Sequence, residues 1–283
     1  MKIAIHKGDC IEQMQKMKEK SVDMCVTSPP YWGLRNYNDE EGQLGQEATP
    51  KEFVDNLVKV FREVRRVLKD EGTVWLNLGD TYCGTGHKGN YTDPKHREGR
   101  NGQSFALNNK IDGLKSKDLV GIPWRVAFAL QDDGWYLRQD IIFAKQNPMP
   151  ESVKDRCTKS HEYIFLLSKN KKYYYDNEAI KELSVDGKQK KNKRSVWSLP
   201  TQAFKGAHFA VSPIALFEPC VLAGCPEGGT VLDPFAGSGT TGIVATNNNR
   251  NAVLIELNGD YIDIMKERIA ESGNLFINVK ENI

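Results

Sequence analysis

Thr27-Ser28-Pro29-Pro30-Tyr31-Trp32 follows an apolar run, Val22 to Val26, that reads as a buried strand. Two prolines can continue neither a central ladder nor a helix, so the chain leaves that strand as a stiff, extended segment carrying two aromatic rings. In open α/β sheets, ligands bind beyond the carboxyl ends of the strands. The Ser28 hydroxyl, the Pro29 carbonyl held by Pro30, and the Tyr31 ring together suit a flat group bearing an exocyclic amine. The amine would donate to Ser28 and the carbonyl while the ring stacks on Tyr31. The same residues also fit a plain Pro-Pro turn after a strand, and Trp32 is either a second wall or core.

A second stretch, Thr230-Val231-Leu232-Asp233-Pro234-Phe235-Ala236-Gly237-Ser238-Gly239-Thr240-Thr241, gives a short strand, an acid at its end, a Gly-rich turn and a helix start. Gly237 and Gly239 let a ligand approach the backbone, and Asp233 accepts hydrogen bonds from a polar cofactor. No Lys follows the last glycine, which argues against a phosphate loop. The next strand, Ala252 to Leu257, carries Glu256, about 20 residues beyond Asp233, where an acid binds ribose hydroxyls. Ser238 and Thr240 stand at the helix start, where orphan N–H groups favour an anion, and a helix cap is their other reading.

With both stretches in one chain, the sequence resembles the amino DNA methyltransferases, which methylate exocyclic nitrogens of cytosine or adenine with S-adenosylmethionine. Ile122-Pro123-Trp124-Arg125, His161-Glu162-Tyr163-Ile164-Phe165 and His208-Phe209-Ala210-Val211-Ser212-Pro213 extend the resemblance over nearly the whole chain. The catalytic motif precedes the cofactor motif, similar to the permuted β group. Ser at 28 resembles the cytosine-N4 enzymes, where adenine enzymes usually carry Asp. The resemblance implies a circularly permuted class I methyltransferase fold: α/β, a doubly wound, mostly parallel sheet with polar inserted segments. It implies a catalytic set of Ser28, Pro29, Pro30 and Tyr31. It places S-adenosylmethionine among Asp9, Asp233, Phe235, Gly237, Ser238, Gly239, Thr240 and Glu256, with Phe235 against its adenosine part. It also implies a base flipped out of double-stranded DNA, a cognate restriction endonuclease as a candidate partner, and a monomer or homodimer. A doubly wound sheet would put Asp233 and Glu256 on neighbouring strands, with the Asp9 strand beside that of Glu256. Asp9 also reads as a simple helix cap.

The elements that must position these residues are legible in outline. Lys2 to Ile5 is a strand ending at Gly8-Asp9, and Ile11, Met14 and Met17 mark a helix. Thr49-Pro50-Lys51-Glu52 is a capping box with Pro at the first helical position, opening a helix whose Phe53, Leu57, Val60, Phe61, Val64 and Leu68 share a face. Gly72 should end it, with Thr73 to Leu78 a buried strand. Residues 119–130 predict a helix, Tyr136 to Ala144 and Glu162 to Ser168 strands, and Pro213 to Leu222 a helix. The chain reads as one methyltransferase domain over 1–283, with a polar inserted loop at 81–117 and a candidate target-recognition segment at 169–200.

Hydrophobic residues make up 39% of the 283 and charged residues 27%, enough for a sizeable core. No apolar run suggests a membrane span, and six Cys without a close pair fit a reducing cytoplasm and no structural zinc. A net charge of +2 is too small to announce nucleic acid, so any footprint lies in charge arrangement. Lys188, Lys190, Lys191, Lys193 and Arg194 form one cluster, and Lys95, Arg97 and Arg100 a second that would face the other side of the duplex. A solvated face is the other reading of such runs. His161 and His208 read as structural. Three other functions stay open: adenine-N6 methylation, RNA or protein amide methylation, and a DNA-binding module without activity.

Overall fold

The computed structural model describes residues 1–33, 43–84, 113–201, 212–272 and 278–282. In chain order the elements are β1 (Lys2–Lys7), α1 (Cys10–Gln15), β2 (Val22–Thr27), α2 (Pro50–Val67), β3 (Leu68–Leu78) and α3 (Ile122–Asp132). They continue as β4 (Tyr136–Lys145), β5 (His161–Ser168), β6 (Glu182–Leu183), β7 (Lys190–Lys191), β8 (Val196–Leu199) and α4 (Ile214–Gly224). The last five are β9 (Thr230–Asp233), α5 (Thr240–Asn247), β10 (Asn251–Glu256), α6 (Gly259–Glu271) and β11 (Asn278–Asn282).

Nine strands join in the order β11-β1-β10-β9-β2-β3-β5-β4-β8, and β6 pairs with β7 as a separate hairpin. From β11 to β3 every pairing is parallel, while β5 runs antiparallel between β3 and β4. The period-two alternation of buried strands divides their side chains between two cores. Val74, Leu76 and Leu78 of β3 join Cys25 of β2 under α1, α2 and α3, whereas Trp75, Met24 and Val26 pack under α4, α5 and α6. Helices thus cover both faces of a mostly parallel sheet, the doubly wound arrangement expected.

The permuted chain order has the geometry anticipated: β1 lies beside β10, which lies beside β9. Gly8 N–H donates to the Glu256 carbonyl at 3.0 Å, holding the turn after β1 against the end of β10.

Several boundaries move. The α2 capping box forms, with Thr49 Oγ1 accepting from Glu52 N–H at 3.2 Å and Glu52 accepting from Thr49 N–H at 3.3 Å. Gly72, however, does not end that helix. Leu68 is already extended at its C-cap, is fully buried and pairs with Val22, so β3 begins there and Gly72 lies inside it. The α3 helix starts at Ile122 because the Asp80 carboxylate accepts from Gly121 and Ile122 N–H, both at 3.0 Å, and so fixes the first turn. The 169–200 segment is not wholly polar and peripheral. Ile180 and Trp197 are buried in the second core, and β8 extends the main sheet beside β4. The 81–117 insertion is pinned at its base by Cys83 N–H to the Asp118 carbonyl and Lys117 N–H to the Cys83 carbonyl, both 2.8 Å.

Candidate active site

A cavity of about 750 Å³ opens where the parallel strands end, and both motifs line it. Asp9, Ser28, Pro29, Pro30, Tyr31, Asp233, Phe235, Gly237, Ser238, Thr240 and Glu256 all reach its wall. Parallel strands aim their carboxyl ends at one edge of the sheet, so residues more than 200 positions apart converge there.

On the Gly-rich side, the two acids divide the work. Asp233 is buried, and its carboxylate accepts from Thr27 Oγ1 at 2.6 Å, Thr241 Oγ1 at 2.6 Å and Phe235 N–H at 3.1 Å. Burial pushes its carboxyl above the usual range, and these three donors pull it back. Asp233 is therefore a keystone tying the Gly-rich turn to the last residue of β2. The half-buried Glu256 accepts from Gly237 N–H at 2.7 Å and Asn258 N–H at 2.9 Å. Burial is the largest influence raising its carboxyl too, with the Asp233 charge adding to it. Each Glu256 oxygen keeps a second lone pair for hydroxyls in the cavity.

Asp9 caps α1, its Oδ1 accepting from Ile11 and Glu12 N–H at 2.9 and 3.0 Å, so the cap reading holds while the residue also lines the cavity. Gly239 occupies the left-handed region at φ 79°, and a Cβ there would stand 2.4 Å from Met265 Cγ, so only glycine fits. Ser238 and Thr240 do not cap α5, whose N-cap Gly239 has no side-chain cap bond. Their hydroxyls accept from the Arg268 guanidinium at 2.6 and 3.1 Å instead. That guanidinium adds positive charge at a helix start already suited to a carboxylate.

The Ser-Pro-Pro-Tyr side holds a network that the motif alone does not reveal. Tyr31 Oη donates to Glu162 Oε2 at 2.8 Å. Asn77 Nδ2 donates to Tyr31 Oη at 2.7 Å, to Glu162 Oε2 at 3.0 Å and to Ser28 Oγ at 3.3 Å. Lys145 forms an ion pair with Glu162 Oε1. The Tyr31 ring lies against Gly79, where a Cβ would come within 2.5 Å of it. Trp32 resolves as core: it is buried, with its indole N–H on the Glu47 carbonyl at 2.9 Å. Asn77, Lys145 and Glu162 escaped the sequence reading of the site. The signal for Asn77 was a lone amide inside an otherwise apolar strand, and Glu162 stood within a motif segment without an assigned role. Cys10 also lines the cavity, but burial and then Asp9 push its thiol up to about 12, which removes it as a nucleophile.

The structure does not bring the basic cluster to this cavity. Lys190 and Lys191 form β7, Arg194 pairs with Glu182 at 2.6 Å, and the Lys193 ammonium sits 5.0 Å from the centre of the Trp197 ring. No residue from 188 to 194 lines the cavity wall. His161 packs edge-on against Tyr163. Lys95, Arg97, Arg100 and His208 lie outside the described residues.

The chain is similar to known proteins. The family model described as DNA methylase, for N6 and N4 methyltransferases, matches residues 22–267. The type II methyltransferase M.SmaI of Serratia marcescens is 53% identical over 264 residues, covering 93% of this chain and 89% of its own length. A putative DNA modification methylase from Thermus thermophilus, solved in complex with S-adenosyl-L-methionine, superposes with a TM-score of 0.66 at 25% identity, covering 98% of this chain and 99% of that one. The cytosine-N4-specific PvuII DNA methyltransferase superposes with a TM-score of 0.69 at 19% identity, covering 95% of this chain and 90% of that one, a likeness of fold.

Proposed function

This chain belongs to the N6/N4 DNA methylase family, and on that premise we propose that it methylates the exocyclic N4 of a cytosine flipped out of duplex DNA. The observation that carries the reading is the Thr27–Asp233 hydrogen bond, which ties the residue before Ser28 to the acid that opens the Gly-rich turn. The methyl donor is S-adenosylmethionine, which supplies an electrophilic methyl on a sulfonium. The cavity fits it: Glu256 offers lone pairs for ribose hydroxyls, Phe235 an apolar wall for the adenine, and the α5 start with Arg268 a positive end for the carboxylate.

The protein's own part is alignment. A cytosine amine is conjugated with its ring, so its lone pair points poorly at an electrophile. Accepting its two N–H groups on Ser28 Oγ and the Pro29 carbonyl would turn the nitrogen toward tetrahedral geometry. Positioning of this kind supplies on the order of 7–11 kcal/mol in favourable cases. A duplex base cannot reach the cavity while stacked, and the Tyr31 ring gives the flipped base a face worth roughly 1–3 kcal/mol. Cytosine is favoured over adenine by Ser28, where adenine enzymes usually carry Asp.

The deciding experiment incubates unmethylated DNA with the protein and cofactor, digests it to nucleosides and identifies the modified base. N4-methylcytosine is expected. N6-methyladenine would transfer the same mechanism to adenine, and no modified base would remove the enzymatic reading.

A further inference from the structure

Transfer of a methyl group to a neutral amine leaves one proton too many on nitrogen, and the structure shows a connected set of groups able to take it. We propose that Tyr31 and Glu162 form a proton-exit route from the substrate amine, running from Ser28 Oγ through Tyr31 Oη to Glu162 Oε2. The proposal rests on the reading that Ser28 meets the amine.

The groups are connected in order, the first link long for an O–H···O bond and the second close. Ser28 Oγ donates to Tyr31 Oη at 3.4 Å, and Tyr31 Oη donates to Glu162 Oε2 at 2.8 Å. The direction is set by donors that can only give. Asn77 Nδ2 lies 3.3, 2.7 and 3.0 Å from Ser28 Oγ, Tyr31 Oη and Glu162 Oε2, and its two N–H bonds, shared among them, leave the Ser28 and Tyr31 hydroxyl hydrogens to point onward. Lys145 holds the other Glu162 oxygen, so Oε2 is the one that faces the incoming proton.

The step balances. The amine nitrogen forms its bond to the methyl carbon as the bond from that carbon to sulfur breaks, and the sulfonium becomes a neutral thioether. The nitrogen's surplus proton passes to Ser28 Oγ, the Ser28 proton to Tyr31 Oη and the Tyr31 proton to Glu162 Oε2. A cationic sulfonium and an anionic carboxylate are replaced by two neutral groups, and the Lys145 ammonium faces a neutral acid until Glu162 gives its proton up. Tyr31 thereby has a second duty, separate from offering its ring to the base. Glu162 acts through Tyr31 and is a positioning and proton-accepting residue.

The test measures single-turnover methylation with Tyr31→Phe, Glu162→Gln and the double variant, in H₂O and D₂O, with cofactor and DNA affinities measured alongside. Each single variant should slow the chemical step by about 100-fold, at the lower end of what general-base catalysis supplies, with both affinities near wild type. The double variant should be no slower than the worse single, because the two act as a unit. Wild type should slow in D₂O with a curved dependence on deuterium fraction, and both variants should lose that curvature. Glu162→Asp should recover part of the rate. If Glu162→Gln does not fold, Tyr31→Phe decides alone, since it keeps the ring that packs on Gly79. A Tyr31→Phe rate within twofold of wild type overturns the route. If Ser28→Ala is also active, the underlying reading of Ser28 fails with it. If Ser28→Ala is inactive, that reading stands and only the route is lost.

Discussion

Thr27 is an unremarked residue beside a conspicuous motif, yet its hydroxyl is half of the link between the two halves of the site. Thr27→Val keeps the shape and leaves Asp233 Oδ1 one donor short in a buried setting. A loss of about 1–3 kcal/mol in unfolding free energy is expected, measured by chemical denaturation, since a buried acceptor loses its partner. Methylation should fall further than stability alone explains, because Ser28 is the next residue. A variant as stable and active as wild type would show that the turn and the motif hold their positions independently. Glu256 gives a pH signature. Its folded carboxyl is raised by burial, so the native state holds the proton more tightly than the unfolded chain. Stability from this group is fully present below 4.5, its ordinary value, and is lost as the pH rises through the higher folded value. Relative to Glu256→Gln, the wild type without cofactor should lose unfolding free energy over that window. The opposite slope in paired denaturation curves would mean that hydrogen bonds to Gly237 and Asn258 outweigh burial.

At the scale of elements, strands and turns near the chemistry were legible because they are local. Proline pairs stop strands, an acid before a Gly-rich turn marks a strand end, and Thr49 with Glu52 makes a helix start. The Asn77–Tyr31–Glu162 network was not legible, because its members come from β3, the β2 loop and β5 and are separated by 46 and 131 positions. Register between β3 and β5, which sets Asn77 against Ile164 and Leu78 against Tyr163, decides their meeting, and no local pattern encodes it. The basic run teaches the reverse lesson. Its composition was plain, but its surroundings were not: Trp197 and Glu182 already engage two of its cations. We propose that the β6–β7 hairpin still reaches DNA beyond the cavity. Replacing Lys190, Lys191 and Lys193 by Gln together should weaken binding to all sequences. It should also flatten log affinity against log salt by about 0.9 per lost phosphate contact. An unchanged slope would assign the hairpin to solvent.

Across the whole molecule, one sheet carries both halves of the cavity, and the order of its strands makes the Ser28 loop and the Gly-rich turn near neighbours in space. β9 lies directly beside β2, so the cofactor turn and the Ser28 loop leave adjacent strands. That adjacency is why a permuted chain can build the same site as an unpermuted one: the sheet needs its strands side by side, and cares little where the chain begins.

The position of β1 has a further consequence, for how the protein is made. Among the described residues β1 pairs only with β10 and β11, so residues 2–7 find their partners among residues 251–256 and 278–282. On a ribosome β1 has nothing to pair with until β10 and β11, which lie far along the chain from it, have emerged. Until then Ile3 and Ile5, fully buried in the finished sheet, are exposed on an unpaired strand, the kind of surface that draws chains into aggregates. A chain stopped at residue 250 leaves both edges of β1 open. Such fragments should be recovered as insoluble material, whereas fragments stopped at the same residue that also lack residues 1–8 should stay dispersed to a greater degree, as comparison of their sedimented fractions would show. Long-range closure of this kind also slows folding. β1 must wait for partners made long after it.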